Sequence, residues 1–140
     1  MTRLWIDTEF NEFRGELISI AIVSECGLNF YEAVRFDAEP GPWVRQHVMP
    51  IIGVPAIEYA EMQAKLSNFL QQFSDIELIA DWPEDIKHFL DALITGPGMR
   101  IGPQKFSMCV DGSLPSTAEH SKIPHNSFYD ALALKDAAVS

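Results

Sequence analysis

The sequence predicts an α/β fold, with a mixed sheet that opens in an N-terminal antiparallel three-strand meander and is flanked by helices. Two observations carry this prediction. The first 36 residues contain three β-prone runs joined by short turns, which is typical of a meander. Further along, a helical pattern over 56–73 precedes a short apolar strand at 76–80, an order typical of parallel neighbours in an α/β sheet.

Length and composition predict one domain over residues 1–140. Apolar residues make up 47% of the chain and aromatic residues 11%, which argues against disorder. No apolar run approaches the roughly 20 residues of a membrane helix, and early acidic residues interrupt any signal-peptide profile. The two cysteines, Cys26 and Cys109, are too far apart for a metal knuckle. We therefore expect a reduced, cytoplasmic protein without membrane association.

The formal net charge of −10 restricts the partners that we expect. Phosphate contacts supply most of the affinity of proteins that grip long nucleic acids, and such proteins are usually basic. If this chain handles nucleic acid, it should hold a short single-stranded end through metal ions and base stacking.

The meander consists of three β-prone runs. They are Leu4–Ile6 with its acidic end, 17–23 and 29–36, joined by polar turns at 11–15 and 25–28. Residues 37–55 are rich in proline and glycine and predict a loop with one short helix near 42–48. The apolar side chains at 43–52 are candidates for one wall of a substrate groove or for a homodimer contact.

The second half alternates helices and strands. Apolar residues at three- and four-residue intervals predict the helix over 56–73, and the strand 76–80 follows it. Pro83 suits the first turn of the next helix, and Gly96-Pro97-Gly98 is expected to end that helix. The remaining predicted elements are a strand over 104–110, a polar loop over 111–124 and a helix from Asn126 or Ser127 onward.

Acidic residues follow the first strand abruptly. Asp7 and Glu9 project from one face of that strand and Thr8 from the other. Adjacent carboxylates repel each other unless a cation lies between them, and oxygen ligands of this kind suit Mg²⁺ or Mn²⁺. An exposed acidic strand end is the alternative interpretation.

Three further polar residues come from distant parts of the chain. Asp85 lies in the first turn of a predicted helix, where the helix dipole also favours an acidic residue. Asp130 is expected on the second turn of the last helix, where a charge among apolar residues needs a partner. His125 lies at the mouth of that helix, and a capping or surface role is its alternative.

Four carboxylates from three separate elements can hold two metal ions about 3.5–4 Å apart. Such a pair clamps a phosphodiester, activates a water molecule and stabilises the leaving oxygen. A nearby histidine, with an unperturbed pKa of about 6.5, can accept the proton of that water at neutral pH. The sequence therefore predicts in-line hydrolysis of a terminal phosphodiester with Mg²⁺ or Mn²⁺ as the cofactor.

These motifs resemble the three motifs of DEDDh exonucleases, which include ribonuclease T, oligoribonuclease and polymerase proofreading subunits. The matching features are Asp7-Thr8-Glu9, an Asp in a helical first turn, and His125 five residues before Asp130. The opening Trp-Ile-Asp-Thr-Glu-Phe is most similar to the compact bacterial 3′–5′ exoribonuclease-like branch. The resemblance, which spans residues 4–137, implies a ribonuclease H-like fold and a 3′–5′ exonuclease acting on short single-stranded RNA, with DNA as the alternative substrate.

The resemblance also implies a role for each matching residue. The implied metal ligands are Asp7, Glu9, Asp85 and Asp130. His125 is the implied general base, and Thr8 and Phe10 are expected to contact substrate. A core position is the alternative for Phe10.

The middle motif departs from the family pattern, which usually has a polar residue shortly before Phe-Asp or Tyr-Asp. Here Asp81 and Glu84 are rival ligands to Asp85, which we prefer because Phe89 and Leu93 follow it at helical spacing. The region 92–125 is short for the family, which predicts a more open groove. The competing hypothesis is an acidic ribonuclease H-like binding or regulatory module with little turnover.

Overall fold

The computed structural model describes residues 1–139, and Ser140, the last residue of the predicted domain, lies outside that range. The strands are β1 (Thr2–Phe10), β2 (Leu17–Ser24), β3 (Asn29–Val34), β4 (Ala56–Ile57), β5 (Ile76–Ala80), β6 (Ile94–Gly96), β7 (Met99–Arg100) and β8 (Phe106–Val110). The helices are α1 (Pro42–His47), α2 (Tyr59–Leu70), α3 (Pro83–Leu93), α4 (Thr117–His120) and α5 (Ser127–Val139), with a 3₁₀ turn at Met49–Ile51.

Within residues 1–139, six strands form one mixed sheet in the order β4-β3-β2-β1-β5-β8. Strands β1, β2 and β3 pair antiparallel, whereas β5 pairs parallel with both β1 and β8. This confirms the predicted α/β fold with its N-terminal antiparallel meander. The arrangement is consistent with a ribonuclease H-like fold.

Helices pack on both faces of the sheet because its central strands are apolar on both sides. Strand β2 is buried along its whole length. Leu4 of β1 belongs to a core with α2 and α3, whereas Trp5 packs in a second cluster with α5. Successive side chains of a strand point to opposite faces, so Asp7 and Glu9 lie on the same face as Trp5 and α5.

Two predicted boundaries were wrong. The helix predicted over 56–73 begins only at Tyr59, because Ala56–Ile57 pairs parallel with β3 as a short edge strand. The Gly96-Pro97-Gly98 segment does not end α3, whose last residue is Leu93. It forms the turn of the hairpin β6–β7, where Gly98 has a φ of 68° that favours glycine.

Two smaller differences lie near the C-terminus. Helix α4 interrupts the polar loop predicted over 111–124. Asp130 lies in the first turn of α5, not the second. Within residues 1–139, none of the helices has the length and apolar character that crossing a bilayer requires.

Candidate metal centre and active site

Carboxylates from separate elements converge at the C-terminal end of β1. The ligand oxygens of Asp7, Glu9 and Asp130 lie within 4.8 Å of one another. The ligand oxygens of Asp7, Asp81 and Asp85 also lie within 4.8 Å of one another. The structure thus brings together the carboxylates that the sequence predicted as ligands, with Asp7 common to both groups, and it places the rival ligand Asp81 in the same group as Asp85.

The topology explains this convergence. Because β1 and β5 are parallel neighbours, their C-terminal ends meet at one edge of the sheet. Asp81 directly follows β5, and Asp85 lies in the first turn of α3, which starts two residues later at Pro83. Asp130 is carried by α5, which packs across β1 and β2. Asn126 caps that helix, because its Oδ1 accepts backbone N–H bonds at 3.1 and 3.3 Å.

Burial makes these carboxylates costly to ionise without a cation. Burial is the main reason that the pKa of Glu9 is raised to about 9, that of Asp85 to about 7 and that of Asp130 to about 6. Burial, followed by repulsion from Asp85 and its other acidic neighbours, raises the pKa of Asp7 well above its ordinary value.

The donor atoms fit a hard divalent cation. Among residues 1–139, the buried oxygens that lack a hydrogen-bond partner include Asp7 Oδ2 and Asp130 Oδ1. A buried carboxylate oxygen without a partner is unfavourable, and a cation coordinated by several such oxygens removes the cost. Both groups offer only oxygen, the ligand that Mg²⁺ and Mn²⁺ prefer.

Thr8 fixes the orientation of Asp85. The Thr8 hydroxyl donates to Asp85 Oδ1 at 2.5 Å, and the Thr8 backbone N–H donates to the same oxygen at 3.2 Å. Thr8 is buried on the face of β1 that α3 covers. This positioning contact was not predicted from the sequence, although strand alternation already directs Thr8 away from Asp7. The predicted contact of Thr8 with substrate stays a prediction.

We expect Thr8→Val to weaken divalent-cation binding about tenfold. The change keeps the side-chain volume but removes the hydroxyl donor, and a hydrogen bond to a charged group contributes about 1.5–3 kcal/mol. Titration calorimetry with Mn²⁺ measures the effect. Thr8→Ser, which keeps the hydroxyl, is the matched control. An affinity of Thr8→Val equal to that of the wild type would contradict the positioning role.

Of the two rival ligands in the middle motif, the structure brings only Asp81 into a carboxylate group with Asp85. Burial raises the pKa of Asp81 as it does for its neighbours. Glu84 instead accepts a hydrogen bond on Oε1 from Trp82 Nε1 at 3.2 Å. Asp81 and Asp85 can therefore both act as metal ligands, because a carboxylate oxygen of each lies within 4.8 Å of an oxygen of Asp7.

His125 lies just before α5 with a positive φ of 72° and is partly exposed. Its ring contacts Trp43 edge-on, with a centroid distance of 4.9 Å, and lies 6.3 Å from the ring of His47. Burial, and then the charge of His47, lower the pKa of His125. His125 is therefore neutral at neutral pH, the state that can accept a proton.

A groove of about 490 Å³ opens beside Glu9. Aromatic rings dominate its walls, and three of them are well exposed. These are Phe13 at 81%, Trp43 at 50% and Trp82 at 57% of the residue surface. Exposed rings beside an acidic centre suit the stacking of nucleic acid bases. Trp43 belongs to the segment 43–52 that the sequence offered as one wall of a substrate groove, whereas Phe13 and Trp82 were not predicted to contact substrate.

Phe10, the predicted stacking residue, also lines this groove but has a partner already. Its ring packs against His88 with centroids 5.0 Å apart, and it is half-buried. Its contact with substrate stays a prediction. A larger cavity of about 690 Å³ lies beside β4. Met49 and Ile52 of the segment 43–52 line it, but none of the predicted metal ligands does, and neither do His125, Thr8 or Phe10.

Comparison with known proteins points in the same direction as this geometry. No protein-family model matches the chain. Two curated relatives are 34% identical to it over 111 residues, and both are named 3′-5′ exoribonuclease. They come from Mycobacterium tuberculosis strains CDC 1551 / Oshkosh and ATCC 25618 / H37Rv. The match covers 72% of this chain and 66% of each relative, so this chain is similar to two 3′-5′ exoribonucleases over just under two thirds of their length.

Proposed function

We propose that this chain is a single-domain, metal-dependent 3′–5′ exonuclease that removes nucleotides from the end of short single-stranded RNA. The observation that carries the proposal is the pair of carboxylate groups that share Asp7 and adjoin an aromatic groove. The names of the two relatives support the direction of cleavage and RNA as the substrate. DNA is the alternative substrate.

The proposed cofactor is a pair of Mg²⁺ or Mn²⁺ ions. Asp7, Glu9 and Asp130 would hold one ion. Asp7, Asp81 and Asp85 would hold the other. When bound, such ions activate the attacking water and stabilise the charge that develops on the phosphate.

The protein's own residues supply proton transfer and positioning. His125 accepts the proton of the attacking water, because its lowered pKa keeps the imidazole neutral at neutral pH. The hydroxyl of Thr8 holds Asp85 in place. The exposed rings of Phe13 and Trp43 offer stacking surfaces for the terminal base.

His125→Ala is expected to lower kcat about 10²- to 10⁴-fold while divalent-cation binding is retained, because the change removes only the proton acceptor. The wild-type rate should rise with pH through the pKa of His125, below the usual histidine value, and the variant should lack this rise. His120→Ala, at an exposed histidine of α4, is the control and should keep wild-type kinetics. Unchanged kcat in His125→Ala would exclude the base role.

A 5′-labelled single-stranded RNA tests the proposed function directly. With Mg²⁺ or Mn²⁺ the labelled strand should shorten one nucleotide at a time, and a chelator should stop the reaction. The same sequence as DNA measures the preference for the sugar. An intact strand, together with a thermal unfolding midpoint that metal does not change, would favour the acidic binding or regulatory module.

The homodimer and the cytoplasmic location stay predictions.

A further inference from the structure

Within residues 1–139, no strand pairs with the outer edge of β8. This strand is the last of the six-stranded sheet and has β5 as its neighbour. Ser107 and Cys109 are exposed on one face of the sheet, and Met108 and Val110 are 43% and 47% exposed on the other. The chain then turns back over the sheet, because Leu114 packs in the cluster of α5. The edge of β8 is therefore open to another strand.

Strand β8 lacks the features that usually keep the edge of a sheet unpaired. Charged side chains, proline and short length are the common protections. The five residues Phe106–Val110 contain no charge and no proline. The opposite edge strand, β4, is only two residues long and follows Pro55. This difference identifies β8 as the edge that is suited to a contact.

The backbone groups of three β8 residues point outward. The N–H of Asp111 donates to the carbonyl of Ala80, the last residue of β5, at 2.7 Å. Neighbouring residues of a strand direct their N–H and C=O groups to opposite sides, so those of Phe106, Met108 and Val110 point away from β5. A second strand can form hydrogen bonds at these three positions.

The sequence around β8 is complementary to itself when two copies run antiparallel. With Met108 on the twofold axis, the residues that face each other form apolar pairs, small polar pairs and ion pairs. These are Phe106 with Val110, Ser107 with Cys109, and Lys105 with Asp111, each pair occurring twice. An axis at residue 107 or 109 would also align the outward backbone groups, but it would leave both charges without an opposite partner. Charge therefore selects the axis at Met108.

The two charges that flank β8 are available for this pairing. Lys105 is exposed and forms no ion pair with any other residue of 1–139. Asp111 Oδ1 accepts hydrogen bonds from the hydroxyl and the backbone N–H of Ser113, at 2.6 and 3.0 Å. These bonds lower the pKa of Asp111, so its carboxylate is charged at neutral pH.

Other acidic residues lie one strand further from the second copy, at about 4.8 Å spacing. Glu77 is on β5 beside Ser107, whereas Asp75 precedes β5 and Asp81 follows it. Asp75 repels the Asp111 of the second copy and Asp81 attracts its Lys105, so these two effects oppose each other. The net charge of −10 disfavours association in general, but a Debye length of about 8 Å at physiological salt limits that repulsion.

We propose that two copies of this chain pair antiparallel through β8, with Met108 on the twofold axis, so that one sheet continues across both. The proposed metal centres lie at the C-terminal ends of β1 and β5, so this pairing places them at opposite ends of the joined sheet. The contact is small, and we expect a dissociation constant on the order of 10 µM. The inference concerns β8, not the segment 43–52, and does not rest on the proposed exonuclease function.

Sedimentation velocity over a range of protein concentrations tests the ion pairs. Lys105→Glu should weaken the dimer about tenfold, because two attractive pairs become repulsive. Adding Asp111→Lys to Lys105→Glu exchanges the charges and should restore the affinity. Lys65→Glu is the control for the change of charge, because Lys65 is an exposed lysine of α2, which packs on β3 far from β8. Thermal unfolding verifies that each variant folds.

Disulfide formation tests the register. In a Cys26→Ser background, Ser107→Cys places a new thiol directly opposite Cys109 of the second copy. The backbone groups of both positions point to β5, so their Cα atoms should be about 4.5 Å apart, within the range of a disulfide. Mild air oxidation should therefore produce a covalent dimer. Adding Cys109→Ser is the control, because the nearest thiols are then diagonal neighbours about 7–8 Å apart and should cross-link much more slowly.

Each outcome decides the proposal without a measurement of nuclease activity. A dimer that Lys105→Glu weakens, that the charge exchange restores and that the opposed thiols lock would support it. A chain that stays monomeric at all concentrations would overturn it. A dimer that Lys105→Glu leaves unchanged, or in which the opposed thiols react no faster than the control, would mean that another surface or register is used, and the proposal would be wrong.

Discussion

Asp7→Asn is expected to lower kcat/KM at least about 10³-fold, which corresponds to about 4 kcal/mol of transition-state stabilisation. Asp7 is the carboxylate common to both groups, so its loss removes a ligand from each proposed ion. The same change should stabilise the metal-free protein. Asp7 is buried among acidic neighbours and its Oδ2 lacks a partner among residues 1–139, whereas asparagine has nearly the same size and no charge.

This opposite effect on activity and stability distinguishes a metal ligand from an ordinary structural residue. Activity on labelled RNA and thermal unfolding with and without Mn²⁺ measure the two properties. In the wild type Mn²⁺ should raise the unfolding midpoint, and in Asp7→Asn it should raise it little. Asp75→Asn, at an exposed aspartate just before β5, is the control and should match the wild type. An Asp7→Asn protein that is active and less stable would contradict the metal centre.

The sequence was sufficient to predict the elements that position the carboxylates. The strand that ends in Asp7 and Glu9, the first turn that carries Asp85 and the helix that carries Asp130 all have strong periodicity or clear start signals. The number of possible topologies for these elements is small. Parallel strands place their C-terminal ends at one edge of the sheet, so the carboxylates were expected to converge there.

The features that the sequence did not predict depend on tertiary pairing. Strand β4 and the hairpin β6–β7 are two or three residues long per strand, too short for any hydrophobic period, and only their partners define them. Similarly, Asp81 joins Asp7 because β5 pairs parallel with β1, and Thr8 reaches Asp85 because α3 packs against the end of β1. The exposure of Phe13 and Trp82 is also a property of the folded surface, since aromatic residues in a sequence are more often core.

The metal-free protein is expected to lose stability as the pH rises, the reverse of ordinary acid denaturation. In the unfolded chain these carboxyl groups titrate near their ordinary values of 3.8 and 4.5. In the folded protein burial raises the pKa of Asp130 to about 6, of Asp85 to about 7 and of Glu9 to about 9. Between these limits the folded state binds more protons than the unfolded state. The resulting stability is therefore fully present below about pH 4 and is lost as the pH rises through 6 to 9.

Urea unfolding at pH 5, 6.5 and 8 in the presence of a chelator measures this loss. The free energy of unfolding should fall by at least about 2 kcal/mol from pH 5 to pH 8, since one pKa unit corresponds to about 1.4 kcal/mol. Mn²⁺ should reverse the trend, because only deprotonated carboxylates bind the ion, so its stabilising effect should grow with pH. Asp85→Asn removes one titrating group and should flatten the metal-free profile. A metal-free stability that stays constant or rises over this range would mean that the carboxylates are not held together as the structure has them.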